Sequence, residues 1–219
     1  MEKILILPDL HGRDFWIEPC SHIDEFDKII FLGDYHDPYP NQVDQETSRN
    51  RLRDELVPFV LEHKDKCVCL FGNHDSNYLV SPISSRFDFK HSEEIKEYLK
   101  QLDLKLIYKV DNYLFSHSGV LPKWLNEYDL TLKSLDTLPL NDPSLSSISA
   151  YRGGFDAVGS CIWGDVREYM LSYQFKDIYQ IFGHTQLEKE IITPEFACLD
   201  CRKAFVLDLD TGDISEYGN

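Results

Sequence analysis

Five short stretches hold the side chains best suited to chemistry. They are Pro8-Asp9-Leu10-His11-Gly12, Gly33-Asp34-Tyr35-His36-Asp37, Gly72-Asn73-His74-Asp75, Ser116-His117-Ser118-Gly119 and Gly183-His184-Thr185-Gln186. Five of the eight histidines lie in them, each near a glycine. Carboxylates and imidazoles gathered in one place are costly to bury unless a cation neutralises them. A mixed oxygen and nitrogen donor set suits first-row divalent ions such as Mn²⁺, Fe²⁺ or Zn²⁺ better than Ca²⁺. One shared carboxylate can bridge two such ions about 3.5–4 Å apart, an arrangement used for phosphoryl chemistry.

The elements that must position these residues are legible around them. Residues 3–7, 28–32 and 67–71 are apolar runs, each followed at once by one of the first three clusters. Between the second and third runs, residues 43–64 carry Leu52, Leu56, Phe59, Val60 and His63 near the helical period. Residues 13–25 are mixed and compatible with a helix. Strand, helix, strand, helix, strand implies parallel pairing through right-handed crossovers. In such a sheet ligands bind outside the carboxyl ends of the strands, which is where Asp9, His11, Asp34, Asn73 and His74 fall.

Farther on, residues 92–102 read as a helix with Ser92 as N-cap and acids in its first turn. Residues 104–110 and 113–115 read as strands joined at Asp111-Asn112. Residues 129–150, rich in Ser, Thr, Asp and Pro, read as surface loop, and residues 177–182, 195–199 and 203–209 as late strands. With no internal repeat and no evident linker, residues 1–219 are expected to form one α/β domain containing two sheets.

Composition narrows the functions. The 219 residues carry 38 acidic and 22 basic side chains, a net charge of −16. That balance argues against wrapping nucleic acid and against docking on anionic lipid. It does not exclude an acidic substrate, because bound cations invert a local field. No apolar run approaches the ~20 residues of a membrane span, and residues 4–7 read as a strand rather than an export signal. Cysteines 20, 67, 69, 161, 198 and 201 are expected to be reduced thiols of a cytoplasmic protein, the lone Cys198–Cys201 spacing being weak evidence for zinc.

The order D-x-H, G-D-x-x-D, G-N-H-D, S-H-S-G and G-H-T resembles the calcineurin-like metallophosphoesterases, and within them the phosphoprotein-phosphatase type and its small bacterial relatives. The resemblance runs from Asp9 to His184, about four-fifths of the chain. It implies a four-layer α/β/β/α sandwich of two mixed sheets flanked by helices. It implies two divalent metal ions, with manganese first and iron or zinc as alternatives. Asp9 and His11 would hold the first metal, Asp34 would bridge both, and Asn73, His117 and His184 would complete the second. His74 would protonate the leaving oxygen, oriented by Asp37, while a hydroxide bridging the metals attacks phosphorus in line. The substrate would be phosphorylated: a phosphoprotein, a phosphopeptide or a small phosphoester.

Two departures stand out. Phosphatases of this type usually carry Arg after the second Asp of G-D-x-x-D, where this chain has Pro38. A phosphate-gripping arginine must then come from elsewhere: Arg152, flanked by Gly153-Gly154, Arg167 after Trp163-Gly164-Asp165, or Arg86. Gln186 stands where many members have a last histidine, leaving the first metal fewer protein ligands, a lack the phosphoprotein-phosphatase branch shares. His36 is read as an exposed or supporting residue rather than a ligand. Specificity is expected in loops 38–50, 76–91 and 121–165. The resemblance leaves two other functions: a dinucleoside-polyphosphate hydrolase, for which the missing arginine leaves room, and a non-catalytic scaffold, against which the complete set of polar residues argues.

Overall fold

The computed structural model describes residues 2–81, 86–172 and 175–218. Part of the expected specificity loop 76–91 therefore lies outside the described residues. The chain begins with β1 (Lys3–Leu7), α1 (Ile17–Ser21), β2 (Lys28–Phe31), α2 (Gln45–Arg51), α3 (Val57–Glu62), β3 (Cys67–Cys69) and α4 (Asn73–Leu79). It continues with α5 (Ser92–Leu99), β4 (Ile107–Val110), β5 (Tyr113–Ser116), α6 (Pro122–Glu127), α7 (Val166–Leu171) and β6 (Tyr179–Phe182). It closes with β7 (Ile191–Ile192), β8 (Phe196–Cys198), β9 (Phe205–Asp208) and β10 (Ile214–Glu216).

One sheet has the order β10-β9-β1-β2-β3 and the other β4-β5-β6-β8-β7. In the first, β1, β2 and β3 run parallel and β9 and β10 are antiparallel additions. In the second, β5, β6 and β8 run parallel between antiparallel β4 and β7. Both sheets are thus mixed, as expected.

The period of two along each strand explains the layering. Ile4, Ile6, Ile30 and Leu32 face one way and share a core with Phe115, Ile181, Ala197 and Leu199 of the second sheet. Leu5, Leu7, Ile29 and Phe31 face the other way, into Trp16, Leu52, Leu56 and Ile95 from the helices. On the far side Leu114, Phe182 and Cys198 pack with Trp124, Leu125 and Tyr169. Three cores between four layers make an α/β/β/α sandwich.

Local differences from the sequence expectation have local causes. The helical run 43–64 is divided by a π-helical turn at Leu52–Leu56. Pro58, at the start of α3, lacks the N–H that a continuous α-helix would pair with residue 54. Asp44 caps α2 by accepting from the Thr47 N–H at 2.8 Å. Ser92 is the first helical residue rather than the cap, and its hydroxyl donates to the Phe89 carbonyl at 3.4 Å. The surface stretch 129–150 contains 3₁₀ turns at Lys133–Asp136 and Pro143–Ser146. All six cysteines are unpaired, and no described helix is long and apolar enough to cross a membrane.

Candidate metal centre

The ends of β1, β2, β3, β5 and β6 meet at one edge of the sandwich, and backbone bonds tie their loops together. The His11 N–H donates to the Asp34 carbonyl at 2.7 Å, and the Gly183 N–H to the His117 carbonyl at 2.8 Å. Asp75 is fully buried and accepts from the N–H groups of Asp34, Tyr35 and Gly72 at 2.8–3.1 Å. It clamps the β2 loop to the β3 loop, a role its place at the end of G-N-H-D did not reveal. The backbone is strained here: Asp9, His11, Asp34, Asp37 and His184 have φ of 35°, 45°, 56°, 58° and 64°. Left-handed conformations at non-glycine residues persist where surrounding structure enforces them.

Glycine is required at two of these turns. A Cβ on Gly183 would lie 1.9 Å from Asp9 Oδ2, and one on Gly72 would lie 2.2 Å from Asp34 Oδ1. The carboxylates occupy the space a side chain would take.

The imidazole tautomers follow from their anchors. His117 Nδ1 donates to the Leu32 carbonyl at 2.7 Å, and His11 Nδ1 to the His36 carbonyl at 3.1 Å. Neutral imidazoles so anchored have lone pairs on Nε2. Those two Nε2 atoms lie 3.5 and 3.4 Å from the same oxygen, Asp34 Oδ2. His117 Nε2 is also 3.0 Å from Asn73 Oδ1 and 3.1 Å from His184 Nδ1. Asp9 approaches from the first strand, both oxygens accepting from the His184 N–H at 2.9 and 3.0 Å. Asp9, Asp34, Asn73, His11, His117 and His184 are all at most 5% exposed. The structure thus brings together the six residues expected as ligands.

Electrostatics describe the same cluster. Burial pushes the imidazoles of His11, His117 and His184 below their ordinary range, so they are neutral at pH 7. Burial raises Asp34, while the imidazoles of His117, His74, His11 and His184, insofar as they carry a proton, pull its carboxyl below the usual range. Asp9 is raised well above it by burial and by the charges of Asp200 and Asp34. His184 Nε2 and Asp200 Oδ1 are buried without a hydrogen-bond partner. Lone pairs converging on buried, mutually repelling carboxylates, with few protons between them, fit a divalent cation. His11, Asp34 and His74 form one group of donor atoms within 4.8 Å of one another, and Asp34, His117 and His184 a second. Asp34 is common to both, the position expected of a bridging carboxylate.

His74 has other partners. Its N–H donates to Asp34 Oδ1 at 2.8 Å, and its ring Nδ1 lies 2.8 Å from Asp37 Oδ2. Asp37 in turn accepts from Asn77 Nδ2 at 3.3 Å and from the Tyr78 hydroxyl. The other ring nitrogen, Nε2, lies 2.7 Å from Arg86 Nη2. Arg86 also donates to the Asp37 carbonyl and stacks 3.8 Å from the centre of the Tyr39 ring.

The candidate arginines separate clearly. Arg152 Nη2 lies 3.5 Å from the His184 carbonyl, beside the cluster. Arg167 is bound to both oxygens of Asp165, at 2.7 and 3.0 Å, and stacks on Tyr151, and among the described residues no hydrogen bond or ion pair joins it to the cluster. Arg13, not singled out from the sequence, donates to the Asp9 carbonyl at 2.8 Å and to Gln42 Oε1 at 2.7 Å. His36 is buried, its ring bonded to the Ser48 hydroxyl at 2.7 Å, so it supports the loop rather than being exposed. Asp200 is also unmarked in the sequence, while Tyr39, beside the second motif, reads there as an aromatic that lines the cleft or packs in the core.

Residues 2–188 match the sequence profile of the calcineurin-like phosphoesterases. No curated protein sequence matches the chain significantly. Among solved structures, a cold-active protein-tyrosine phosphatase of a psychrophilic Shewanella aligns over 99% of this chain and 80% of its own, with 16% identity and a TM-score of 0.62. A protein serine/threonine phosphatase from Saccharomyces cerevisiae aligns over 100% and 80%, with 14% identity and a TM-score of 0.59. A metallophosphoesterase from Sphaerobacter thermophilus aligns over 98% and 87%, with 15% identity and a TM-score of 0.57. At such identities these neighbours establish the shared fold.

Proposed function

Because the chain belongs to the calcineurin-like phosphoesterase family, we propose that it is a metal-dependent phosphatase hydrolysing a phosphate monoester. Asp9, His11, Asp34, Asn73, His117 and His184 would hold two divalent ions, with manganese first and iron or zinc as alternatives. The observation that carries this reading is the aim of His11 and His117, whose Nε2 lone pairs both face Asp34 Oδ2 at 3.4 and 3.5 Å. Such ions, when bound, supply a deprotonated water at neutral pH and offset the charge of the phosphate.

The chain's own residues do the rest. The His74 N–H holds Asp34 in place through Oδ1. Asp37 holds the imidazole of His74 by Nδ1 while Nε2 accepts from Arg86. Once Arg86 turns to a phosphate oxygen, Nε2 is freed to take up a proton and give it to the leaving oxygen. Asn77 and Tyr78 keep Asp37 aimed at that ring. Arg86, at Nε2 of His74, and Arg152, beside His184, are placed to grip phosphate oxygens, and Arg86 would replace the arginine lost at Pro38. The six unpaired cysteines favour a cytoplasmic location.

The test is p-nitrophenyl phosphate hydrolysis with Mn²⁺ by the wild type and by Asp34→Asn. Turnover in the wild type and its loss in the variant are expected. Equal rates, or no turnover with any divalent metal, overturn the reading. Hydrolysis of dinucleoside polyphosphates is the second reading, favoured by the Pro38 departure. Product analysis with diadenosine tetraphosphate against a phosphopeptide separates the two.

A further inference from the structure

A groove of about 510 Å³ lies beside the metal loop, lined by Arg13, Arg51 and Arg202 together with Gln42 and Thr47. Three of the chain's eight arginines share this one cavity in a protein of net charge −16. Two of these arginines are tied to the turn that carries Asp9 and His11: Arg13 donates to the Asp9 carbonyl and Arg51 to the Gly12 carbonyl.

Two of these arginines have unspent capacity. Arg13 is only 7% exposed, and its Nη2 has no hydrogen-bond partner. A buried guanidinium N–H left unpaired is costly, so the arrangement is poised for an acceptor. Arg202 is exposed, with φ of 65°, and no ion pair is found for it among the described residues. Four carboxylates oppose this charge. Asp14 lies 3.3 Å from Arg51, which Glu55 also approaches at 3.6 Å. Asp44 lines the groove but is engaged in capping α2. Asp200 attracts Arg13 from beyond ion-pair distance. Arg202 shares Asp200 with Arg13, attracting that carboxyl from beyond ion-pair distance.

The groove is joined to the acid histidine by direct contacts. His74 Nε2 meets Arg86, Arg86 stacks on Tyr39 at 3.8 Å, and the Arg13 guanidinium lies 5.4 Å from the same ring. Tyr39 also sets its ring 5.1 Å from that of His11. Cationic groups therefore run from His74 along one side of the site into the groove. On the proposed reaction, the side of His74 is the side of the leaving group. We propose that the groove is a subsite for a second phosphate carried by the leaving group, so that the preferred substrate is a phosphoester or phosphoanhydride whose departing part is itself phosphorylated. This rests on the phosphatase reading only for the direction of departure. Guanidinium forks match phosphate oxygens in geometry as well as charge.

The test has two arms. In the first, kcat/KM is measured with Mn²⁺ for diadenosine tetraphosphate and for p-nitrophenyl phosphate, in the wild type, Arg202→Glu and Arg202→Lys. The ratio of the two values is expected to fall at least tenfold in R202E and to recover partly in R202K. An unchanged ratio overturns the subsite. In the second, inorganic tripolyphosphate is titrated calorimetrically into the full chain without added metal, where a tenfold weaker affinity of R202E than of the wild type is expected. Equal affinities overturn the subsite whether or not the protein turns over any ester. Absence of p-nitrophenyl phosphate hydrolysis in the wild type counts against the phosphatase reading alone.

Discussion

At the scale of single residues, His74 and Asp37 are expected to separate chemistry from metal binding. His74→Gln should lower kcat about 10²–10⁴-fold with little change in KM, the usual range for loss of a general acid. Asp37→Asn should cost about 10–100-fold, since it loosens the orientation of the ring without removing it. Metal content of both variants, measured by atomic emission, should equal that of the wild type. Asp200 makes a different prediction. In the metal-free protein its carboxyl is pushed up to about 6 by burial, and further by Asp34, against the pull of Arg13. Its folded value lies above the ordinary 3.8. The native state therefore binds the proton more tightly, and the stability this confers is lost as pH rises through about 6. Asp200→Asn should lack that loss, and above pH 6 should stabilise the metal-free protein by on the order of 2–3 kcal/mol relative to wild type. Chemical denaturation at pH 4 and pH 7 reads the difference, and an equal effect at both pH values would refute it. These two cases also divide what could be read from sequence. Asp9, His11, Asp34, Asn73, His117 and His184 sit directly after apolar strands, so their convergence follows from local order. Asp200 also follows a run that reads as a strand, residues 195–199, but no motif singles it out. Arg86 is one of three candidate arginines, and its contact with His74, made across a loop, is encoded by no spacing along the chain.

At the scale of elements, the parallel strands carry the site and the glycines after them set its dimensions. Gly183→Ala would place a methyl 1.9 Å from Asp9 Oδ2, with the Asp9 carboxylate already held by the His184 N–H. Relief requires displacing the carboxylate or the β6 turn, at a cost of about 1–3 kcal/mol. For a domain of this size that is a fall in Tm of roughly 2–12 °C, together with loss of metal and of phosphatase activity. A variant that keeps full metal content and activity would show that the loop yields elsewhere. The strands flanking this turn were legible because their alternation of faces matches their apolar runs: Ile4 and Ile6 inward to the second sheet, Leu5 and Leu7 outward to the helices. β7 and β10, of two and three residues, are too short to show a period. The short helices α4, α6 and α7 start within motif or loop sequence, and tertiary packing rather than propensity supports them. In α4 the first residues, Asn73 and His74, are themselves part of the site, so polar side chains stand where an amphipathic stripe would signal a helix.

At the scale of the whole molecule, the charge of −16 combines two different populations. Most acids lie on solvated faces, such as Glu93 and Glu97 in α5, where water and salt screen them. A few, Asp9, Asp34, Asp75 and Asp200, are buried close together at the meeting of the strand ends, where screening is weak. The fold holds these carboxylates in place largely by backbone N–H groups and strained φ angles, with Arg13 offsetting only part of their charge, so the metal-free protein carries much of their repulsion. A cation that binds only the folded cluster removes that repulsion and adds its binding free energy to stability, about 2.7 kcal/mol for each site at a hundred times its Kd. Saturation with Mn²⁺ should therefore raise Tm by roughly 5–10 °C per occupied site over the chelator-treated protein. The increment should shrink on acidification, because the buried carboxylates, with Asp9 and Asp200 raised by burial, then take protons in place of metal. It should also be nearly insensitive to added sodium chloride, unlike any contribution from the outer acids, because the cluster is at most 5% exposed. Differential scanning calorimetry at low and high salt, with and without Mn²⁺, distinguishes the populations. A rise in Tm that salt abolishes would place the bound ions on the outer acids, and no rise at all would remove the metal centre from the molecule.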